Sequence, residues 1–138
     1  MAILFFSEGI DFHLSGPHTT TLWIKNVIKK EKKKLHSLNY VFCSDDYLAK
    51  LNRHYLRHNT LTDTLTFDYS TDPKSIHGEI YISIERVKEN AARFNESFDQ
   101  ELHRVIIHGV LHLTGHDDKS ASAKALMREK EEAYLSLR

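Results

Sequence analysis

One cysteine, two prolines and five glycines in 138 residues are few, and each scarcity closes off a class of protein. With Cys43 as the single cysteine, no internal disulfide can form, which fits a reducing compartment. So few prolines, and no low-complexity tract, leave no linker and no second domain in sight. The length suits one core, so residues 1–138 are read as a single domain. The apolar run near the start, residues 3–6, is far too short to cross a bilayer. The opening MAILFFSEGI also lacks the basic region and long apolar stretch of a secretory signal. A soluble, cytoplasmic protein with no membrane partner is expected. Charge of neither sign prevails, since lysine plus arginine and aspartate plus glutamate number 19 each. A nucleic-acid partner would therefore have to be met by a local patch.

What the chain has in excess is histidine. There are ten, and five fall between His77 and His116. The remaining composition, 41% hydrophobic and 28% charged, is that of a globular protein. Hydrophobic spacing predicts a strand over residues 2–7 and an amphipathic helix over 18–35, with Leu22, Trp23, Val27 and Ile28 at helical intervals. That helix runs into KKEKKK, residues 29–34. Cations at a helix C-terminus suit the macrodipole, and an RNA-binding patch is the alternative. A strand follows at 39–43, then a helix capped by Ser44 or Asp45 that covers Tyr47, Leu48, Leu51 and Tyr55. Residues 56–61 read as a polar connection, 63–69 as a strand, STDPKS as a turn and HGEIYISI as a further strand. Helices are expected at 85–94, at 97–115 and from there to about Leu137. The fold class is α+β: one mixed sheet of about four strands packed with helices, the histidine-bearing helix lying beside the sheet.

That helix opens at Ser97 with Gln100 three residues on, a capping-box pattern. Leu102, Val105, Ile106, Gly109 and Leu113 fall on one side at about 100° per residue, with Ile107 and Leu111 nearly opposite. A helix apolar almost all round is a buried one. Its remaining sector holds Arg104, His108 and His112. Imidazoles four residues apart point within about 40° of each other, so both can reach one ion. Two hydrogen-bonded core histidines are the plainer alternative. Gly115 shifts the balance, because glycine readily takes the left-handed conformation that ends a helix. The chain can then deliver a third ligand from HDD. Asp118, ten residues after His108, suits a helix broken at Gly115. His116, four after His112, suits an unbroken one and stands as the alternative or extra ligand. Asp117 is expected to cap the final helix or to orient a ligand.

HGVLHLTGHDD, residues 108–118, resembles the HGxLHLxGYDH signature of the YbeY family, bacterial metal-dependent endoribonucleases of rRNA maturation. LNRHYLRHNTLTDTLTF, residues 51–67, is similar to that family's LNxxYRxxxxPTDVLSF; GEIYIS, residues 78–83, resembles its GDIxIS strand, and MREKEEAYL resembles its ending. The resemblance implies a small α+β fold and one divalent ion, zinc foremost, held by His108, His112 and Asp118. It also implies single-strand-specific cleavage of RNA in 16S rRNA 3′-end maturation and ribosome quality control. The partners implied are rRNA and the ribosomal subunit, with no DNA. Three departures stand out. Asp118 replaces the family's third histidine, His116 replaces its tyrosine, and its substrate-contacting arginine aligns with Leu56, next to Arg57.

In protease zincins a glutamate follows the first histidine and serves as the base. Here position 109 is glycine, so no side-chain base is assigned, and the expected nucleophile is a metal-bound water, with Arg57 as a substrate contact. Gly109 either leaves room beside the ion or packs the helix on the sheet. A carboxylate ligand in place of an imidazole lowers the centre's charge by one unit, so its water should be less acidic than at a three-histidine centre. RNA would be held by Arg53, Arg57, His58, Arg86 or Lys88, with Tyr69 available for stacking. Residues 62–66 are expected to border the metal cleft. The alternatives are a ribosome-assembly factor whose metal is structural, and a metallopeptidase.

Overall fold

Parallel neighbours in a sheet need a crossover connection, and the chain supplies one at once. In the computed structural model, which describes residues 2–56 and 62–138, β1 (Ala2–Glu8) and β2 (Lys34–Cys43) are parallel and joined by α1 (Pro17–Lys30). β2 also pairs in parallel with β4 (Ser75–Ser83), and β3 (Thr64–Asp68) lies antiparallel to β4, giving the order β1-β2-β4-β3. Between β2 and β3 comes α2 (Asp45–Leu51), capped by Ser44, whose hydroxyl accepts from the Tyr47 amide, and then a π-helical turn at Asn52–Leu56. After the sheet come α3 (Ile84–Arg93), α4 (Phe98–Leu113) and α5 (Ala121–Leu135). The result is one small α+β domain with a four-stranded mixed sheet, as the sequence pattern predicts.

Strand alternation decides which face is covered. Leu38, Tyr40 and Phe42 on β2 and Ile76, Ile80 and Ile82 on β4 turn inward and pack with Trp23, Ile24, Val27 and Ile28 of α1 and the apolar sides of α4. Each such side chain contributes roughly 1.5–3 kcal/mol when fully buried. Two large polar side chains inside are paired: the Tyr40 hydroxyl donates to the Ile106 carbonyl at 2.9 Å and the Trp23 indole to the Tyr134 carbonyl at 2.9 Å. A smaller cluster of Cys43, Leu48 and Leu65 lies under α2.

Gly109 is resolved by packing. A β-carbon there would come within 2.7 Å of Cδ1 and 2.9 Å of Cγ2 of Ile80. Glycine lets α4 sit close on β4, and this side of α4 faces the sheet. Two boundaries differ from expectation. α1 ends at Lys30, and β2 begins at Lys34 rather than 39. Lys32 takes a left-handed φ of 61°, and the amides of Lys32 and Lys33 donate to the carbonyls of Lys29 and Ile28. That is the doubly bonded helix stop which glycine usually makes, built here on a lysine. The released residues then pair with β4, Lys34 opposite Ser75.

Candidate metal centre

The capping serine is where the sequence places it. Ser97 Oγ accepts from the Gln100 amide at 3.0 Å, and α4 runs from there through sixteen residues. It ends on Gly115, φ 107°, with the Gly115 amide donating to the His112 carbonyl and the His116 amide to that of Leu111. This stop turns the chain back along the helix. Asp117 Oδ1 then accepts from the Lys119 amide at 3.0 Å and shapes the turn, while Ser120 caps α5 by accepting from the Ala123 amide. Asp117 is therefore not the helix cap. Between these two turns, Asp118 is carried to the histidine face of α4.

His108, His112 and Asp118 each offer one donor atom, and the three atoms lie within 4.8 Å of one another. The two Nε2 atoms are 2.9 Å apart, and Asp118 Oδ2 is 3.6 Å from that of His108 and 3.7 Å from that of His112. Donors at 2.0–2.1 Å from a tetrahedral ion stand about 3.3 Å apart, so this triangle has the size of one face of such a shell. Two imidazole nitrogens aimed at each other are held together either by a shared proton or by a cation. The donor chemistry fits a divalent ion of the zinc kind, two neutral nitrogens and one carboxylate. The three side chains keep 21%, 28% and 45% of their surface exposed, in the order His108, His112, Asp118. The triangle thus opens to solvent instead of being sealed by protein.

Two carboxylates that the sequence gave no spacing signal for hold this arrangement. Glu131 of α5, 5% exposed, accepts from His108 Nδ1 at 2.6 Å, which leaves Nε2 as the free ligand nitrogen. Its other oxygen lies 3.5 Å from Arg104 Nη1, and Arg104 is also bonded to Glu132 at 2.7 Å. Burial disfavours the charged His108 ring, but the hydrogen bond and charge of Glu131 outweigh it and hold its pKa above the usual imidazole value. His112 goes the other way, lowered by burial and by the charge of His108. The two rings are thus driven apart, His108 toward the more basic and His112 toward the less.

The second carboxylate is Glu31, just past α1. It bonds His116 Nε2 at 2.7 Å and Lys130 Nζ at 2.9 Å, and it accepts from the Tyr134 hydroxyl. Burial would raise its pKa, but those three partners prevail and pull it down to about 2. His116 is thereby turned to the back of the loop, away from the triangle. A sequence search cannot find Glu31, because its partners lie 85 to 103 residues away.

The triangle sits at the junction of two lobes of one cleft, of about 650 and 350 Å³, which share Asp63, His108 and Asp118. Thr62, Thr64 and Thr66 border the larger lobe, as expected of residues 62–66, together with Lys119. Asn90, Glu101, Arg128 and Glu131 border the smaller one. Asp63 is a cleft carboxyl without an assigned role in the sequence; burial raises its pKa, against the pull of His108. Of the residues expected to hold RNA, Arg86 is bonded to Asp45 at 2.9 Å and Glu89 at 3.1 Å. Lys88 lies over the Phe98 ring, and the Tyr69 hydroxyl donates to Glu79 at 2.7 Å. None of these three borders either lobe. Arg53 is exposed on the π-helical turn, and Arg57 and His58 lie outside the described residues.

Known proteins share much of the sequence and the fold. The sequence matches the family described as "Endoribonuclease YbeY" over residues 13–137. A protein named Endoribonuclease YbeY from Amoebophilus asiaticus is 51% identical over 133 residues, covering 96% of this chain and 90% of its own. One from Flavobacterium psychrophilum is 49% identical over 132 residues, 96% and 94% of the two chains, and one from Bacteroides thetaiotaomicron is 41% identical along the full length of both. The solution structure of TM1509 from Thermotoga maritima superposes with a TM-score of 0.69 at 31% identity, covering 97% of this chain and 87% of that one. With the signature helix, the sheet beside it and this identity from end to end, the chain belongs to the YbeY endoribonuclease family.

Proposed function

We propose that the chain is a metal-dependent endoribonuclease that cuts single-stranded RNA, with residues 1–138 acting as one catalytic domain. The observation that carries this reading is the open triangle of His108 Nε2, His112 Nε2 and Asp118 Oδ2 at the centre of a cleft. Three protein donors with an exposed side are the catalytic pattern, whereas structural zinc is closed by a fourth. When bound, the ion supplies Lewis acidity, polarising a phosphoryl oxygen and acidifying water.

The chain's own residues do the rest. His108 and His112 present neutral nitrogens, His108 in the tautomer that Glu131 sets. Asp118 contributes the negative charge that the two imidazoles lack. Thr64 and Thr66 of β3 border the wall where a ribose-phosphate chain would lie, and Lys119 and Arg128 stand at the margins of the two lobes. Arg57 is assigned a substrate contact on its position in the sequence. The activity belongs, in this reading, to rRNA maturation at the 16S 3′ end and to ribosome quality control in the cytoplasm, with the ribosomal subunit as partner and zinc as the ion. Support for that setting comes from the family.

A peptidase is disfavoured, because the position of the zincin base is Gly109, which faces Ile80 of the sheet. A ribosome-assembly factor with a structural metal is the second reading, favoured only if a further protein ligand closes the triangle. Cleavage of a fluorescent single-stranded RNA should need added divalent metal and should fall at least a hundredfold in His112→Ala. Metal bound without cleavage by the wild type would favour the assembly factor.

A further inference from the structure

The lysine run that sequence reasoning assigned to the helix dipole has a second property in the fold. Residues 25–34 hold six lysines and one acid, in a chain of no net charge. That acid is Glu31, whose side chain is 7% exposed and is spent inward on His116, Lys130 and Tyr134. What remains outside is positive alone. Among the described residues, none of Lys25, Lys29, Lys30, Lys32, Lys33 and Lys34 takes part in an ion pair; Lys33 alone is tethered, donating to the Pro73 carbonyl at 2.7 Å.. The nearest acid in the adjoining turn, Asp72, is occupied by the Lys74 amide and the Ser75 hydroxyl.

Four of these lysines, Lys25, Lys29, Lys33 and Lys34, line a groove of about 440 Å³ together with Ile28 and Leu35. The lysine run and the metal cleft meet the same short loop, the run through Glu31. On one side of that loop Asp118 meets His108 and His112; on the other Thr114 and His116 meet Glu31. The smaller lobe sets Asp63, Asp118, Glu101 and Glu131 against Arg104 and Arg128, and both arginines are already paired with acids, so free positive charge is scarce there beyond the ion. A polyanion reaching it gains from cations elsewhere: Lys119 borders the larger lobe, and the lysine run is the denser set without ion pairs. Lysine also occupies the left-handed position 32, where glycine would sit with less strain.

We propose that the lysine groove at the end of α1 binds the phosphate backbone of single-stranded RNA, a few nucleotides away from the bond held in the metal cleft. The groove binds by charge alone, reads no bases, and contributes to affinity for long substrates and not to the chemical step. This rests on the endoribonuclease reading for its occupant, and the test separates the two.

The variant is Lys25→Gln, Lys29→Gln and Lys34→Gln together. All three side chains are exposed, so folding is not put at risk. Binding of a 12-nucleotide RNA is followed by fluorescence anisotropy across salt concentrations, in a His112→Ala background to prevent cleavage. Each single-strand phosphate contact adds about 0.7 to the slope of log affinity on log salt. Loss of three should lower that slope by about 2 and weaken binding on the order of tenfold to a hundredfold at 0.15 M salt. Cleavage of a trinucleotide by the triple-lysine variant with His112 intact should match the wild type. An unchanged slope and affinity would overturn the proposal and leave an acidic protein surface as the occupant. A trinucleotide rate that falls as far as the long-RNA affinity would also overturn it, since the lysines would then belong to the reaction site. Should the wild type bind the 12-mer through these lysines yet cleave no RNA, the endoribonuclease reading fails and the groove stands.

Discussion

A neutral imidazole offers a cation one nitrogen only when the other carries the proton, so whatever bonds that other nitrogen sets the ligand. At His108 this is Glu131, at 2.6 Å and 5% exposed, with Arg104 beside it to offset the buried charge. Glu131→Gln keeps the volume and removes the charge. It should weaken zinc binding about ten- to a hundredfold, read by calorimetric titration, and an unchanged Kd would remove Glu131 from the centre. Glu31 is a different case, because it acts on the loop and not on the ion. A carboxylate whose folded pKa is depressed stabilises the fold above its unfolded pKa, and loses that contribution as pH falls through the folded one. For Glu31 the window runs from the ordinary 4.5 down to about 2. Glu31→Gln should therefore lose most stability at neutral pH, with the gap from wild type closing across that window in urea unfolding.

Helix stops show why some of the fold was legible and some was not. Gly115 and Lys32 make the same two-bond stop, at the ends of α4 and α1. The first is glycine, so the end of the histidine helix, and with it the choice of Asp118 as the returning donor, could be read from sequence. The second is lysine inside a run of good helix formers, so nothing local marked the stop, and pairing of Lys34 with Ser75 settled it. Contacts made across the fold left no sequence trace either. Glu31, Asp63 and Glu131 meet the metal loop or its ligands only after the sheet and helices have assembled. At Gly109, too, spacing left two roles open, and the approach to Ile80 chose packing. Alanine there would gain about 1 kcal/mol of helix propensity but force a core already in contact to give way, at about 1–3 kcal/mol. Overpacking should win: Gly109→Ala is expected to lower the denaturation midpoint, and Ile80→Val in the same chain to restore part of it.

Across the whole molecule, charge is divided by place. Acids gather in the cleft around Arg104 and the histidines, and free lysines gather where α1 gives way to β2, so neutrality of the chain conceals a strongly polar one. The carboxylates of the cleft make sense together with a cation, and its three donors come from α4 and from the turn beyond Gly115, held by α5 and by the residue after α1. Assembly of the candidate ion site is therefore the outcome of the complete fold. Titration of Zn²⁺ into metal-stripped protein by isothermal calorimetry, for the wild type, His116→Ala and Asp118→Ala, tests this most directly. The account predicts one site in the wild type, one of similar affinity in His116→Ala, and loss of at least a hundredfold in affinity in Asp118→Ala. Full affinity in Asp118→Ala, with loss in His116→Ala, would contradict it.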